Sequence, residues 1–152
     1  KGSKKYHRYE PLNLFKFKDF NQSLQLAKGS VAAISECSSG NNSDRDAVVW
    51  AYHELLQRPE KRKILFVLSD GQPANATINV DEYSARGPLV MGLKNAIDEC
   101  GQSGVECVGI GILTDHVKDI YPKSVSITKV EDLSGAIFNQ RSNLLTGGKV
   151  RF

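Results

Sequence analysis

One carboxylate, Asp70, stands where its neighbours could put it to chemical use. Asp70 closes the stretch "KILFVLSDGQPAN" (Lys63–Asn75), in which five apolar residues, Ile64 to Leu68, run straight into Ser69, Asp70 and Gly71. "SSGNNSD" (Ser38–Asp44) reads as a loop by composition. In an open α/β sheet, ligands bind beyond the carboxyl ends of the strands. A carboxylate fixed there can hold a hard cation, orient a base or position a nucleophile. His116 follows the run "GIGIL" on the same side of the expected sheet, where it could contact a ligand or partner. The structural alternative for Asp70 is a cap on the next turn, a common task for Asp. Gly71 is expected to let the chain turn sharply without a Cβ clash.

Other chemistries find no support in the sequence. There is no G-x-S-x-G elbow for a nucleophilic serine. Neither G-x-x-x-x-G-K-[ST] nor G-x-G-x-x-G occurs, and "GIGIL" is better read as close packing of small residues in a strand. Cys37, Cys100 and Cys107 leave one cysteine over and form no zinc spacing, so reduced thiols in a cytoplasmic protein are expected. A net charge of +3 is too small to argue for nucleic acid, and no apolar run is long enough to span a membrane. His53 and Trp50 are read as core or surface residues of one helix, and Asp115 and Asp119 as solvated charges at a helix start.

These groups need elements to carry them. "KILFVL" and "VECVGIGIL" (Val105–Leu113) are almost continuously apolar and rich in β-branched residues, as strands buried on both faces of a parallel sheet are. "SVSI" (Ser124–Ile127) reads as a third strand. Helices are expected in "NQSLQLAKGSVAAISEC", with Leu24, Ala27, Val31 and Ile34 on one stripe, and in "DRDAVVWAYHELLQRPE", with Val48, Tyr52 and Leu55/Leu56. Two more fall in "PLVMGLKNAIDECGQSG", with Leu89, Leu93, Ile97 and Cys100 on one face, and in "VEDLSGAIFNQRSNLL". "LNLFKFKDF" (Leu12–Phe20) alternates like a half-exposed edge strand, and its lysines suit an edge. The alternation of strand and helix predicts an α/β fold with right-handed crossovers. A length of 152 residues allows one domain with a sizeable core. Its expected bounds are 12–146, after a basic flexible segment over 1–11 and before a tail over 147–152.

The block "NNSDRDAVVWAYHELLQRPEKRKILFVLSDGQP" resembles the von Willebrand factor A (VWA) domain at the C-terminus of CobT-type subunits of aerobic cobaltochelatase. The matching residues are Asn42, Asp44, Ala47, Trp50 and Ala51, then Arg58, Pro59, Glu60, Arg62, Lys63, Ile64, Leu65, Ser69, Asp70, Gly71 and Pro73. "VECVGIGI", the spaced Tyr121, Val125 and Ile127, and "EDLSGAIFNQ" extend the resemblance over Leu12 to Leu145. It implies a three-layer, doubly wound, mostly parallel sheet of VWA/Rossmann-like type. It also implies Mg²⁺ at a metal-ion-dependent adhesion site, built from an Asp-x-Ser-x-Ser motif and two further loops. Asp70 matches the third loop and Asp44 the second, so the resemblance implies these two as metal ligands, with Asn42, Ser69 and His116 as supporting residues. No D-x-S-x-S occurs in this chain. The family's first strand, first helix and second strand would lie upstream of Lys1, so the site is expected to be incomplete and to bind Mg²⁺ weakly.

By the same resemblance the chain is expected to be a non-catalytic interaction module. Its partners would be a MoxR-type AAA+ ATPase subunit (CobS type) and a large chelatase subunit, in ATP-dependent cobalt insertion into a corrin ring during cobalamin (porphyrin-type) biosynthesis. Two alternatives stand beside it: a metal-dependent VWA adaptor not tied to cobalamin, and a metal-assisted hydrolase using Asp70. Without the first strands, "KILFVL" would offer an unpaired edge, and self-association through that edge is expected.

Overall fold

A strand buried on both faces must be roofed by helices, and the sequence supplies them in alternation. A computed structural model describes residues 12–37, 43–71 and 87–145, with side chains as far as Ser142. The described elements run α1 (Leu24–Ala32), α2 (Asp44–Leu56), β1 (Lys63–Ser69), α3 (Pro88–Gln102), β2 (Val105–Ile112), α4 (Val117–Ile120), β3 (Lys123–Ile127) and α5 (Leu133–Leu145). Short 3₁₀ turns extend α1 and precede α5.

The three described strands form one parallel sheet in the order β1-β2-β3. Lys63 pairs with Val105 at one end of the β1–β2 ladder and Ser69 with Gly111 at the other. Side chains alternate between faces. Val105 and Cys107 therefore join Val48, Tyr52, Leu93, Ala96, Ile97 and Cys100 in the core under α2 and α3. Val108 and Ile110, both fully buried, point to the opposite face, and α5 packs along β2 and β3. The α3 stripe falls as its spacing predicts: Leu89, Leu93, Ile97 and Cys100 are all buried. Pro88 opens α3 at its first turn, and Gly104, at φ +79, turns the chain out of it into β2. The Tyr52 hydroxyl donates to Ser103 Oγ at 2.6 Å and ties α2 to the end of α3.

Two expectations fail. Residues 12–20 form no strand. A strand needs a neighbour to take its ladder hydrogen bonds, and the segment instead runs against α2 through side chains. Lys16 pairs with Glu54 and lies over the Trp50 ring, while Arg58 lies over Phe20 and donates to Asn21. The α1 stripe is also not buried as a unit. Ala27 is enclosed, but Leu24, Val31 and Ile34 are exposed. Helical spacing marks an apolar face without supplying a layer to cover it.

β1 departs from the pattern in an informative way. Its apolar run matches that of β2, yet no β1 residue is fully buried and Leu68 is 46% exposed. Among the described residues, β2 is the only strand paired with it.

Candidate functional site

The carboxyl half of β1, the first turns of α2, and Leu14 and Phe15 enclose a cleft of about 460 Å³. Asp44 and Asp70 both line it, with Ala47, Trp50, Val67 and Ser69. Two acids, one at the start of α2 and one just past the carboxyl end of β1, are thus brought to one opening that runs along β1.

Each acid is placed by its own element. Asp44 is the first residue of α2. Its carboxylate lies in the first turn, where exposed backbone N–H groups favour negative charge. The preceding Ser43 donates its hydroxyl to Asp46 Oδ2 at 2.6 Å, and its carbonyl accepts from the Asp46 and Ala47 N–H groups. Asp70 leaves the end of β1 directly. Ser69 Oγ donates to the Gly71 carbonyl at 2.9 Å and accepts from Gly71 N–H at 3.4 Å. Ser69 therefore closes the turn beneath Asp70, as well as lining the cleft.

The turn does not need its glycine. Gly71 is not among the residues of positive φ, and a Cβ placed there would meet nothing within 4 Å. The reason is visible in the Ser69 hydrogen bonds, which bend the chain with an ordinary backbone.

The remaining candidates separate. His116 sits at the start of α4, its backbone N–H donating to Thr114 Oγ1 at 3.3 Å, and it does not line the cleft. Asp115 pairs with Lys118 at 2.5 Å, and that partner holds its carboxyl below the usual range. Asn42 and Pro73 lie outside the described residues. Among the described residues, no group of three His, Cys, Asp or Glu side chains stands where it could hold a metal. Burial pushes the Cys107 thiol up to about 12, with Cys100 beside it, and burial raises Cys100 as well. Both thiols are packed core and poor nucleophiles.

One buried polar group, which does not line the cleft, was not singled out as a site residue. Tyr121 follows α4 and is 4% exposed. Its ring packs on Gly109 of β2, and its hydroxyl has no hydrogen-bond partner among the described residues. Burial first, and then the charge of Asp44, push its phenol well above the ordinary tyrosine range. The glycine pair Gly109 and Gly111 inside a buried strand is the sequence signal, because such gaps are filled from outside the strand.

An open parallel α/β sheet with acidic loops meeting at its carboxyl edge defines the class: a VWA-type, Rossmann-like domain. The family described as the VWA domain of cobalamin biosynthesis protein CobT matches residues 9–147, and the chain belongs to that family. That membership ties the chain to cobalamin biosynthesis. No solved structure matches it. No described helix is long and apolar enough to cross a membrane.

Proposed function

We propose that this chain is the interaction module of a CobT-like subunit, docking a partner through a cation held at Asp44 and Asp70. The observation that carries this reading is the meeting of two carboxylates, from the start of α2 and the end of β1, in one cleft. Hard cations take oxygen ligands, and Mg²⁺ is commonly held by one or two carboxylates with water in its other positions. Bound there, Mg²⁺ would supply open positions for an oxygen from outside, such as a partner's carboxylate. Asp44 and Asp70 would hold the ion and Trp50 would wall the cleft.

The partner in this reading is a MoxR-type AAA+ ATPase subunit of CobS type, in an assembly with the large chelatase subunit that inserts cobalt into a corrin ring in the cytoplasm. The family membership supports it. A hydrolase reading has less behind it, because no histidine among the described residues lines the cleft beside Asp70.

Pull-down of the ATPase subunit by this chain tests the proposal. Capture is expected in Mg²⁺, with loss in EDTA and in Asp70→Ala and Asp44→Ala. Capture unaffected by chelation and by both substitutions would overturn it.

A further inference from the structure

Tyr121 carries a buried side-chain hydroxyl without a hydrogen-bond partner among the described residues, in the core on the α2 face of the sheet. Its place is built into the fold. Gly109 pairs with Val67, one pleat before the Ser69–Gly111 pair that ends the β1–β2 ladder. The ring fills the space over Gly109 on the α2 face, in the same core cluster as Val48. Val48 is one helical turn from Asp44. The hydroxyl is thus carried toward the start of α2, where the Asp44 charge reaches it.

A buried hydroxyl without a partner costs about 1–3 kcal/mol. Native structures rarely leave one so, and commonly satisfy it with an ordered water. A polar pair too far apart for a direct bond is often spanned in this way.

We propose that Tyr121 is a positioning residue for Asp44, its hydroxyl donating to one bridging water that also bonds the Asp44 carboxylate. The phenol is suited to the task. It is rigid, it is held on the sheet by a glycine, and it donates without adding charge next to an acid.

The inference stands apart from the docking reading and is tested without metal or partner. Thermal unfolding of the 152-residue chain in EDTA is compared for wild type, Tyr121→Phe, Asp44→Ala and the double variant. Phe keeps the ring over Gly109 and removes only the hydroxyl. If the hydroxyl is bridged to Asp44, Tyr121→Phe lowers Tm by roughly 2–4 °C, and the same change costs nothing further once Asp44 is Ala. Amide signals of Ser43 to Asp46 then shift in Tyr121→Phe. A Tm unchanged or raised overturns the proposal, as does a loss that simply adds to that of Asp44→Ala. Amide shifts confined to Gly109 and Val117 overturn it too. Each of these results leaves the Mg²⁺-dependent capture experiment to succeed or fail by itself.

Discussion

The Tyr121 ring occupies the space that Gly109 leaves open: a Cβ on Gly109 would stand 2.6 Å from Tyr121 Cγ. Gly111 is tighter still in kind, since its Cβ would lie 2.8 Å from Val117 Cγ2 and nearer yet to the Thr114 carbonyl oxygen. Overpacking of this sort costs about 1–3 kcal/mol. Gly109→Ala and Gly111→Ala should each lower stability by that order in urea unfolding, with Gly111→Ala the worse because it meets backbone. Gly71→Ala is the control, with open space around its Cβ. It should be neutral, or stabilising by about 0.4–1 kcal/mol through the unfolded chain.

Leu113 carries the one positive φ outside glycine among the described residues, at 57°, and is 68% exposed. A left-handed conformation costs a side-chain-bearing residue about 1–2 kcal/mol, while an exposed leucine contributes little burial. Leu113→Gly should therefore leave the domain as stable as wild type or more so by up to about 1 kcal/mol. A clear loss in thermal unfolding would mean that the Leu113 side chain holds the loop.

Glu106 accepts from Lys123 at 2.6 Å and from Arg62 at 3.4 Å. The Lys123 hydrogen bond, with Arg62 adding to it, holds the Glu106 carboxyl below its ordinary value. A carboxyl lowered by folding stabilises the fold at pH above its unfolded value and loses that contribution as pH falls through the folded one. Glu106→Gln should thus bring the stability of wild type and variant together in acid, with wild type the more stable near neutrality. Parallel curves from pH 7 down to pH 3 would show that the ion pairs contribute nothing measurable.

Cation binding by the 152-residue chain should be weak, because two carboxylates leave most of a hard-cation shell to water. Calorimetry with Mg²⁺ should give affinities in the roughly millimolar range. Tight binding abolished by Asp70→Ala would reveal a further ligand beyond Asp44 and Asp70.

The apolar β1 run has β2 as its only strand partner among the described residues. An open strand edge is a template for pairing with another chain. Sedimentation of the 152-residue chain should show concentration-dependent association, reduced by a lysine at the exposed Leu68. A monomer at all concentrations, with a cooperative melt, would contradict this.

Much of the fold is legible in the chain because it is written in local spacing. The run from Val105 to Ile112 announces a strand buried on both faces, and the i, i+4 series Leu89, Leu93, Ile97 places the inner side of α3. Both readings depend only on the geometry of a strand or a helix and on where apolar side chains lie along it. The VWA/CobT membership is legible for a similar reason: the residues from Asn42 to Pro73 are a contiguous pattern.

What the tertiary structure alone decided is non-local. Residues 12–20 carry a strand pattern, yet no ladder forms there, because a strand exists only where a neighbour takes its hydrogen bonds. Leu24, Val31 and Ile34 share a stripe that α1 does not bury, because periodicity marks a face and packing must cover it. Gly71, which the sequence suggests for a sharp turn free of a Cβ clash, sits in a turn that Ser69 shapes with its hydroxyl. The convergence of Asp44 and Asp70 on one cleft depends on how α2 lies across β1 and β2. Tyr121 packs into the core under α2 only because β2 offers a glycine where its ring must lie. Spacing along the chain encodes the faces of single elements, whereas a site is assembled from pairs of faces that meet only after the chain has folded.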